Sequence, residues 1–112
     1  MNPGDIALTS LPQSDGAAKI RPVLLLKRMP PLSDFLVCGV SSQLQQEVVG
    51  FDHVIGSGTP DFAGSGLKTN SVVRLGFLAV LSEAHLVGKI GSISGATVAL
   101  LRQRLGEFLL KP

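Results

Sequence analysis

The stretch KIRPVLLL, residues 19–26, decides the fold of this chain and gives the first sign of a site. Its second half, Val23–Leu26, is a continuous apolar run, typical of a strand that is covered on both faces. Pro22 restricts Arg21 to an extended conformation, so the guanidinium leaves the strand in a fixed direction. A guanidinium carries five donors and a permanent charge, which suits a phosphate group. The stretch predicts a buried strand that begins with a phosphate-binding cation, with an ion pair to a carboxylate as the structural alternative.

The first three-quarters of the chain have the pattern of short strands separated by turns. The proline-containing segment 29–34 is short enough to join two strands in an antiparallel hairpin. The glycine-rich segment 56–66 predicts a mobile loop, and Ser82 predicts the cap of a single helical turn over 82–85. Strands are expected at residues 5–11, 20–27, 35–41, 51–55, 71–81 and 86–93.

Near the end of the chain, the apolar residues recur with the spacing of a helix. Ser94 is a good helix cap, and apolar residues then recur at three- and four-residue spacing: Val98, Leu101, Leu105, Phe108 and Leu109. Gly106 weakens this amphipathic helix by about 1 kcal/mol relative to Ala. One domain, residues 1–112, is predicted. It is mainly β (α+β), with a sheet that curls into a small barrel against a C-terminal helix.

Composition limits the classes of function. The chain has 112 residues, of which 45% are hydrophobic and 16% charged, and its net charge is +2. The high hydrophobic fraction and low charged fraction indicate either an apolar surface that is buried against another chain or a core rich in Val and Leu. The absence of Trp and Tyr, with only five Phe, excludes a broad base-stacking platform. Nucleic acid binding would then depend on Arg, Lys, hydroxyl and backbone groups.

Cys38 is the only cysteine, so the chain cannot form an intrachain disulfide and a reducing compartment is expected. Its apolar neighbours predict a buried, unreactive thiol. The first residues lack the basic and apolar run of a signal peptide. The longest near-apolar stretch, residues 75–81, is too short to span a membrane. A soluble cytoplasmic protein without membrane contact is therefore expected.

Polar side chains at strand ends form the candidate site. Ser41, Ser42 and Gln43 close the strand at 35–41, and Arg74 adds a second cation on the strand that begins at residue 71. Hydroxyls and arginines at such positions can bind phosphate oxygens. Taken singly, each also has a structural reading, as a polar turn or a paired edge residue.

The candidate general bases are aspartates in or beside loops: Asp5, Asp15 and Asp34. Asp15 is nearest in sequence to Arg21, although most loop aspartates only cap turns. Neither His53 nor His85 has metal-ligand spacing to cysteines or carboxylates. The glycines at 56 and 58 also lack the strand and helix that frame a nucleotide-binding loop. No metal site and no cofactor are predicted.

Five segments, in order along the chain, resemble the MazF/PemK family of bacterial toxins. They are Gly4-Asp5-Ile6, like G-D-[IVL]; Lys19-Ile20-Arg21-Pro22-Val23, like [KH]-x-R-P-[AV]; Val40-Ser41-Ser42-Gln43, like [IV]-[TS]-[ST]-Q; residues 66–74, like G-L-x-x-x-S-x-x-[RK]; and residues 89–94, like K-x-G-x-[LI]-[ST]. No single segment is specific, but five with suitable spacing are fairly specific.

The resemblance implies an SH3-like β-barrel with a C-terminal helix, assembled as a two-fold homodimer. It also implies a metal-independent, sequence-selective endoribonuclease that cleaves single-stranded mRNA and is inhibited by a cognate antitoxin protein. The 2′-OH attacks the adjacent phosphorus and leaves a 2′,3′-cyclic phosphate. Arg21 aligns with the family's catalytic arginine and Ser41 with its catalytic threonine. Arg21 would stabilise the phosphorane charge and assist protonation of the leaving oxygen.

The remaining site residues follow from the same alignment. Asp15 is the candidate base, and the RNA-binding residues are Lys19, Ser42, Gln43 and Arg74. The chain departs from its relatives at two positions where an acid is found in some members, because Gly16 and Gly76 stand there. The identity of the base therefore stays open.

Two other functions fit the pattern less well. A gyrase-poisoning toxin resembling CcdB has the same fold and uses apolar C-terminal residues, as Phe108-Leu109-Leu110 could be used here. The Arg21-Pro22 and Ser41-Ser42-Gln43 segments argue against it. The second is a catalytically silent SH3-like binding module in which these polar residues only satisfy turns.

Overall fold

The computed structural model describes residues 1–12 and 18–112, with the side chains of residues 11, 12 and 18 left aside. The strands are β1 (Asp5–Pro12), β2 (Ala18–Met29), β3 (Asp34–Ser41), β4 (His53–Ile55), β5 (Ser71–Leu81) and β6 (Leu86–Ser92). The helices are α1 (Phe62–Ser65) and α2 (Gly95–Leu110), with 3₁₀ turns at Leu44–Gln46 and Glu83–His85. The six strands and the C-terminal helix lie close to where the sequence predicts them.

All strand pairs are antiparallel, in the order β4-β5-β3-β2-β1-β6. Within the described residues, β4 and β6 are the two ends of this sheet, so the ladder does not close on itself. The predicted barrel is therefore not confirmed. Register shifts interrupt the β2–β3 and β3–β5 ladders, and such bulges bend a sheet and increase its twist.

The two faces of the sheet carry separate apolar clusters. The helix-side cluster joins α2 to the sheet through Val98, Leu101 and Leu105, which pack with Leu24 and Leu26. The opposite cluster contains Val23, Leu25, Phe35, Val37 and Leu86. Successive residues of the run 23–26 thus alternate between the clusters. The prediction that this strand is covered on both faces is confirmed.

Helix α2 is capped as the sequence predicts. The Ser94 hydroxyl accepts a hydrogen bond from the Thr97 amide at 3.3 Å. The predicted apolar stripe is correct only in its first part, because Phe108 and Leu109 are exposed. Phe108 instead lies with its ring centroid 4.8 Å from that of Phe51.

The segment predicted as a mobile loop contains α1, which packs against β6. Gly66 ends α1 with a φ of 75°, and a side chain there would meet the carbonyl of Ile90. A side chain at Gly91 of β6 would likewise meet the backbone of Ser65. This close approach places α1 beside β6, a contact that the composition of residues 62–66 does not reveal.

Candidate functional site

The register of the central strands places the predicted cations on one face. Gly39 of β3 lies between Val23 of β2 and Arg74 of β5. Directly paired residues in antiparallel strands point to the same face, as do residues two apart on one strand. Arg21 and Arg74 therefore share the face of Val23, which is the face opposite α2.

Ser41 belongs to the same face. It pairs with Val72 of β5 and lies two residues beyond Gly39. Continued by two residues, the β2–β3 register sets Arg21 opposite Ser41. Adjacent strands are about 4.8 Å apart, so Ser41 lies on the strand between the two that carry Arg21 and Arg74. We call Arg21, Ser41 and Arg74 the cationic end of this face.

The other end of this face is covered in part by neighbouring side chains. Met1, Ala79 and Leu81 pack on the opposite cluster, and the Arg28 guanidinium lies 4.2 Å above the ring of Phe35. At the cationic end, by contrast, Arg21, Ser41 and Arg74 are all partly exposed. Among the described residues, Arg21, Ser41 and Arg74 therefore lie on a part of this face that a ligand can reach.

Local hydrogen bonds hold the turn after β3. The Ser41 Oγ accepts a bond from the Gln43 amide at 3.0 Å, and Gln45 Nε2 donates to Gln43 Oε1 at 2.8 Å. Ser42 is exposed. The accepted bond uses one lone pair of Oγ, so the Ser41 hydroxyl can still donate its proton to a phosphate oxygen. The hydrogen bonds of this turn therefore leave the predicted role of Ser41 chemically possible, and that role stays a prediction.

Lys19 lies on β2 two residues before Arg21, pairs with Leu11 and is exposed. It extends the cationic end along the same face. Arg21 itself pairs with Thr9, a buried residue whose hydroxyl donates to the carbonyl of His85 at 2.8 Å. The Thr9 hydroxyl thus links β1 to the 3₁₀ turn at Glu83–His85, beside the strand that carries Arg21.

Of the candidate bases, the structure describes Asp5 and Asp34, and both lie away from the cationic end. Asp15 and Gly16 lie outside the described residues. Asp5 is buried with Lys89 Nζ 3.2 Å from its Oδ1, and it lies four residues along β1 from the partner of Arg21, roughly 13 Å. Asp34 pairs with Met29 at the far end of β2. Neither Asp5 nor Asp34 is close enough to serve this site.

Asp52 is a residue whose importance the sequence does not reveal. Alternation over residues 51–55 predicts a strand, but β4 begins only at His53, and Asp52 is 4% exposed. Its carboxylate accepts bonds of 2.9 Å from the amides of Val48 and Leu75. Since Leu75 follows Arg74, Asp52 ties the β3–β4 connection to the strand that carries the second cation.

Two side chains with shifted pKa values lie outside the cationic end. Burial, reinforced by the charge of Asp52, raises the pKa of the Cys38 thiol to about 12, so Cys38 is the buried, inert thiol predicted from sequence. Burial and then the charge of Arg104 lower the pKa of His53, partly offset by Asp61 and Glu47. His53 is half-buried. Across residues 1–12 and 18–112, no three His, Cys, Asp or Glu side chains are grouped to hold a metal ion.

Two comparisons with known proteins give a match over nearly the whole chain. Residues 2–109 match a family described as PemK-like, MazF-like toxin of type II toxin-antitoxin system. Among solved structures, the chain is similar to the Mycobacterium tuberculosis toxin MazF-mt6, with a TM-score of 0.68 and 23% identity. The match covers 96% of this chain and 99% of that one. No curated protein matches the sequence significantly. No helix of the described residues is long and apolar enough to cross a membrane.

Proposed function

Because the chain belongs to the PemK-like, MazF-like family of type II toxins, we propose that it is a sequence-selective endoribonuclease that cleaves single-stranded mRNA without a metal ion. Family membership implies an mRNA-cleaving toxin with an antitoxin partner. The observation that supports the finer proposal is the shared face of Arg21, Ser41 and Arg74, all three of which are partly exposed.

The chemistry follows from the charges. The ribose 2′-OH attacks the adjacent phosphorus while the bond to the 5′ oxygen breaks, which leaves a 2′,3′-cyclic phosphate and a free 5′-OH. Arg21 stabilises the extra negative charge of the phosphorane, and the Ser41 hydroxyl donates to a nonbridging oxygen. Arg21 is a poor base, because a guanidinium is not deprotonated in proteins. We propose that the carboxylate of Asp15 is the base that accepts the proton of the 2′-OH. The leaving oxygen takes its proton from water.

The neighbouring polar residues hold the RNA chain. Lys19 and Arg74 neutralise phosphates on either side of the scissile one, since single-stranded RNA binding depends on such contacts. Ser42 and Gln43 follow Ser41 at the edge of the same groove and contribute hydrogen bonds to bases or phosphates. A groove with these donors selects sequence through the bases that it can hydrogen-bond.

The test is cleavage of a mixed-sequence RNA by the purified protein in EDTA. We expect products with 5′-OH and cyclic phosphate ends, and no cleavage of a substrate carrying a 2′-deoxy sugar at the mapped site. Arg21→Ala should abolish activity, and Ser41→Ala should lower kcat about 10²- to 10³-fold. Lys27→Ala, which removes an exposed cation of the same strand, is the matched control.

Several outcomes would contradict the proposal. One is the absence of cleavage by the wild type, and another is equal cleavage by wild type and Arg21→Ala. Inhibition of gyrase supercoiling without RNA cleavage would indicate the CcdB-like function instead. Crosslinking to RNA without products would indicate a silent binding module.

We further propose that the toxin acts in the cytoplasm as a homodimer and is inhibited there by its antitoxin. Large apolar side chains that the single chain leaves exposed support a second copy: Leu78, Val80, Phe108, Leu109 and Leu110. Light scattering on the purified protein should give twice the chain mass of 11.7 kDa. A monomer at micromolar concentration would overturn the dimer but not the nuclease.

A further inference from the structure

A phenylalanine ring lies over Gly39, at the centre of the face that carries the cationic end. A Cβ atom placed on Gly39 would be 3.3 Å from both Cγ and Cδ1 of Phe77. Gly39 is itself paired with Val23 on one side and Arg74 on the other. The missing side chain of Gly39 therefore leaves a space that the Phe77 ring occupies.

The register shift in β5 produces this position. Cys38 pairs with Leu78, whereas the next residue, Gly39, pairs with Arg74. The residues between Arg74 and Leu78 thus form a bulge, and a bulge re-aims the side chains that follow it. Phe77 is turned to the face of Arg74, although an uninterrupted period of two would put residues 74 and 77 on opposite faces.

The ring is not buried there. Phe77 is 38% exposed, while Phe35, further along the same face, is fully buried in the opposite cluster. Ser41 lies two residues from Gly39 on β3, about 7 Å along the strand. An exposed aromatic ring, a serine hydroxyl and a guanidinium are therefore within one nucleotide of each other.

We propose that Phe77 is the base-stacking residue of this site and holds one base of the RNA next to the scissile phosphate. The inference rests on the proposed nuclease function. Sequence-specific proteins recognise single-stranded RNA by stacking splayed bases on aromatic rings, and one ring suffices where a wide platform is absent. Phe77 is thus a substrate-positioning residue, and stacking places the neighbouring phosphate against Arg21 and Ser41.

The experiment is a double-mutant cycle between protein and RNA. Phe77→Leu keeps an apolar side chain but removes the ring. The substrates are a short RNA with the mapped cleavage site and copies that carry one abasic nucleotide at each position around it. On intact RNA we expect kcat/KM to fall roughly 5- to 150-fold, the range for loss of one stacked base. On one abasic copy the same substitution should have little further effect, because the base that stacks is already missing.

Two further variants sharpen the test. Phe62→Leu removes a half-buried ring of α1 that packs on the helix-side cluster, on the other face of the sheet, and should leave kcat/KM unchanged. Gly39→Ala should reduce kcat/KM less than Phe77→Leu but at the same nucleotide position, since the new methyl group would lie 3.3 Å from the ring and shift it by a few tenths of an ångström. Thermal unfolding of each variant shows whether the fold is retained.

The outcomes separate the two proposals. If the wild type cleaves RNA, Arg21→Ala is inactive and Phe77→Leu stays within twofold of wild type, only the stacking role is overturned. An equal loss on the intact and on every abasic RNA overturns it as well, because that pattern indicates a structural role. If the wild type neither cleaves nor binds single-stranded RNA, both proposals are overturned.

Discussion

The carboxylate of Asp52 accepts a hydrogen bond of 2.9 Å from the amide of Leu75, the residue after Arg74. The β4–β5 ladder ends at the pair His53–Val73, so this side-chain bond continues the attachment where the backbone pairing stops. The second carboxylate oxygen accepts from Val48. One buried side chain thus holds both the β3–β4 connection and the cation-bearing part of β5.

Asp52→Asn should lower the free energy of unfolding by about 1–3 kcal/mol, because the amide group can accept only through one oxygen and faces a backbone donor with its nitrogen. Urea unfolding of the two proteins at neutral pH measures the difference. Asp34→Asn removes the same charge at a half-buried position and should change stability by less than about 0.5 kcal/mol. Equal stability of Asp52→Asn and wild type would show that the two bonds contribute nothing net.

Packing between α1 and β6 gives a second prediction with a control on the same strand. A side chain at Gly91 would meet the backbone of Ser65 and Gly64, whereas a side chain at Gly88 would meet no atom within 4 Å. Backbone atoms cannot rotate away, so Gly91→Ala should destabilise the protein by about 1–3 kcal/mol. Gly88→Ala should be neutral or slightly stabilising. Similar melting temperatures for the two variants would contradict the close contact.

Local pattern was enough to predict the strands and α2. The alternation of Val23, Leu24, Leu25 and Leu26 between two clusters follows directly from a continuous apolar run, and Ser94 marks the start of α2 by its capping chemistry. The extended conformation of Arg21 on β2 could also be predicted, because Pro22 limits the backbone of the residue before it.

The remaining features depend on contacts between residues far apart in the chain. A helix of four residues such as α1 is unstable alone and forms only through tertiary packing, so a glycine-rich composition suggested a loop instead. Asp52 falls in an alternating segment that predicts only a strand, and its burial accompanies a hydrogen bond to the amide of Leu75, 23 residues away. The contact of Phe77 with Gly39 depends on a bulge in β5, and the local sequence does not predict where the register of two strands shifts.

The role assigned to Arg74 predicts a change in salt dependence. Arg74→Ala should weaken binding of a noncleavable 2′-deoxy analogue of the RNA and reduce the slope of log K against log salt by about 1. Lys111→Ala also removes one positive charge, but Lys111 follows α2, which covers the other face. That control should leave the slope nearly unchanged. Equal slopes for both variants would place Arg74 outside the RNA contact.

Asp61 predicts how the stability of α2 depends on pH. Its Oδ2 accepts from the Thr97 hydroxyl at 2.6 Å and its Oδ1 from the Ser94 amide at 2.9 Å. Burial opposes ionisation of this carboxyl, but the hydrogen bonds from Thr97 and Ser94, with the charge of His53, outweigh it and hold the pKa below its usual value. A lowered pKa in the folded state means that the ionised carboxylate stabilises the fold. That stabilisation is present above the usual aspartate pKa of about 3.9 and is lost as pH falls through the lowered value.

Asp61→Asn should therefore lower the free energy of unfolding at neutral pH, by about 0.5–1.5 kcal/mol, the net contribution of a typical hydrogen bond. The difference in free energy of unfolding between wild type and Asp61→Asn should become smaller as pH falls below the usual aspartate range. The wild-type carboxyl is then protonated and, like the amide, carries no charge. Urea unfolding of both proteins at several pH values measures this difference. Thr97→Val removes the hydroxyl donor, so its effect and that of Asp61→Asn should be less than additive in the double variant. A difference that stays constant down to about pH 2 would show that the charge of Asp61 has no part in capping α2.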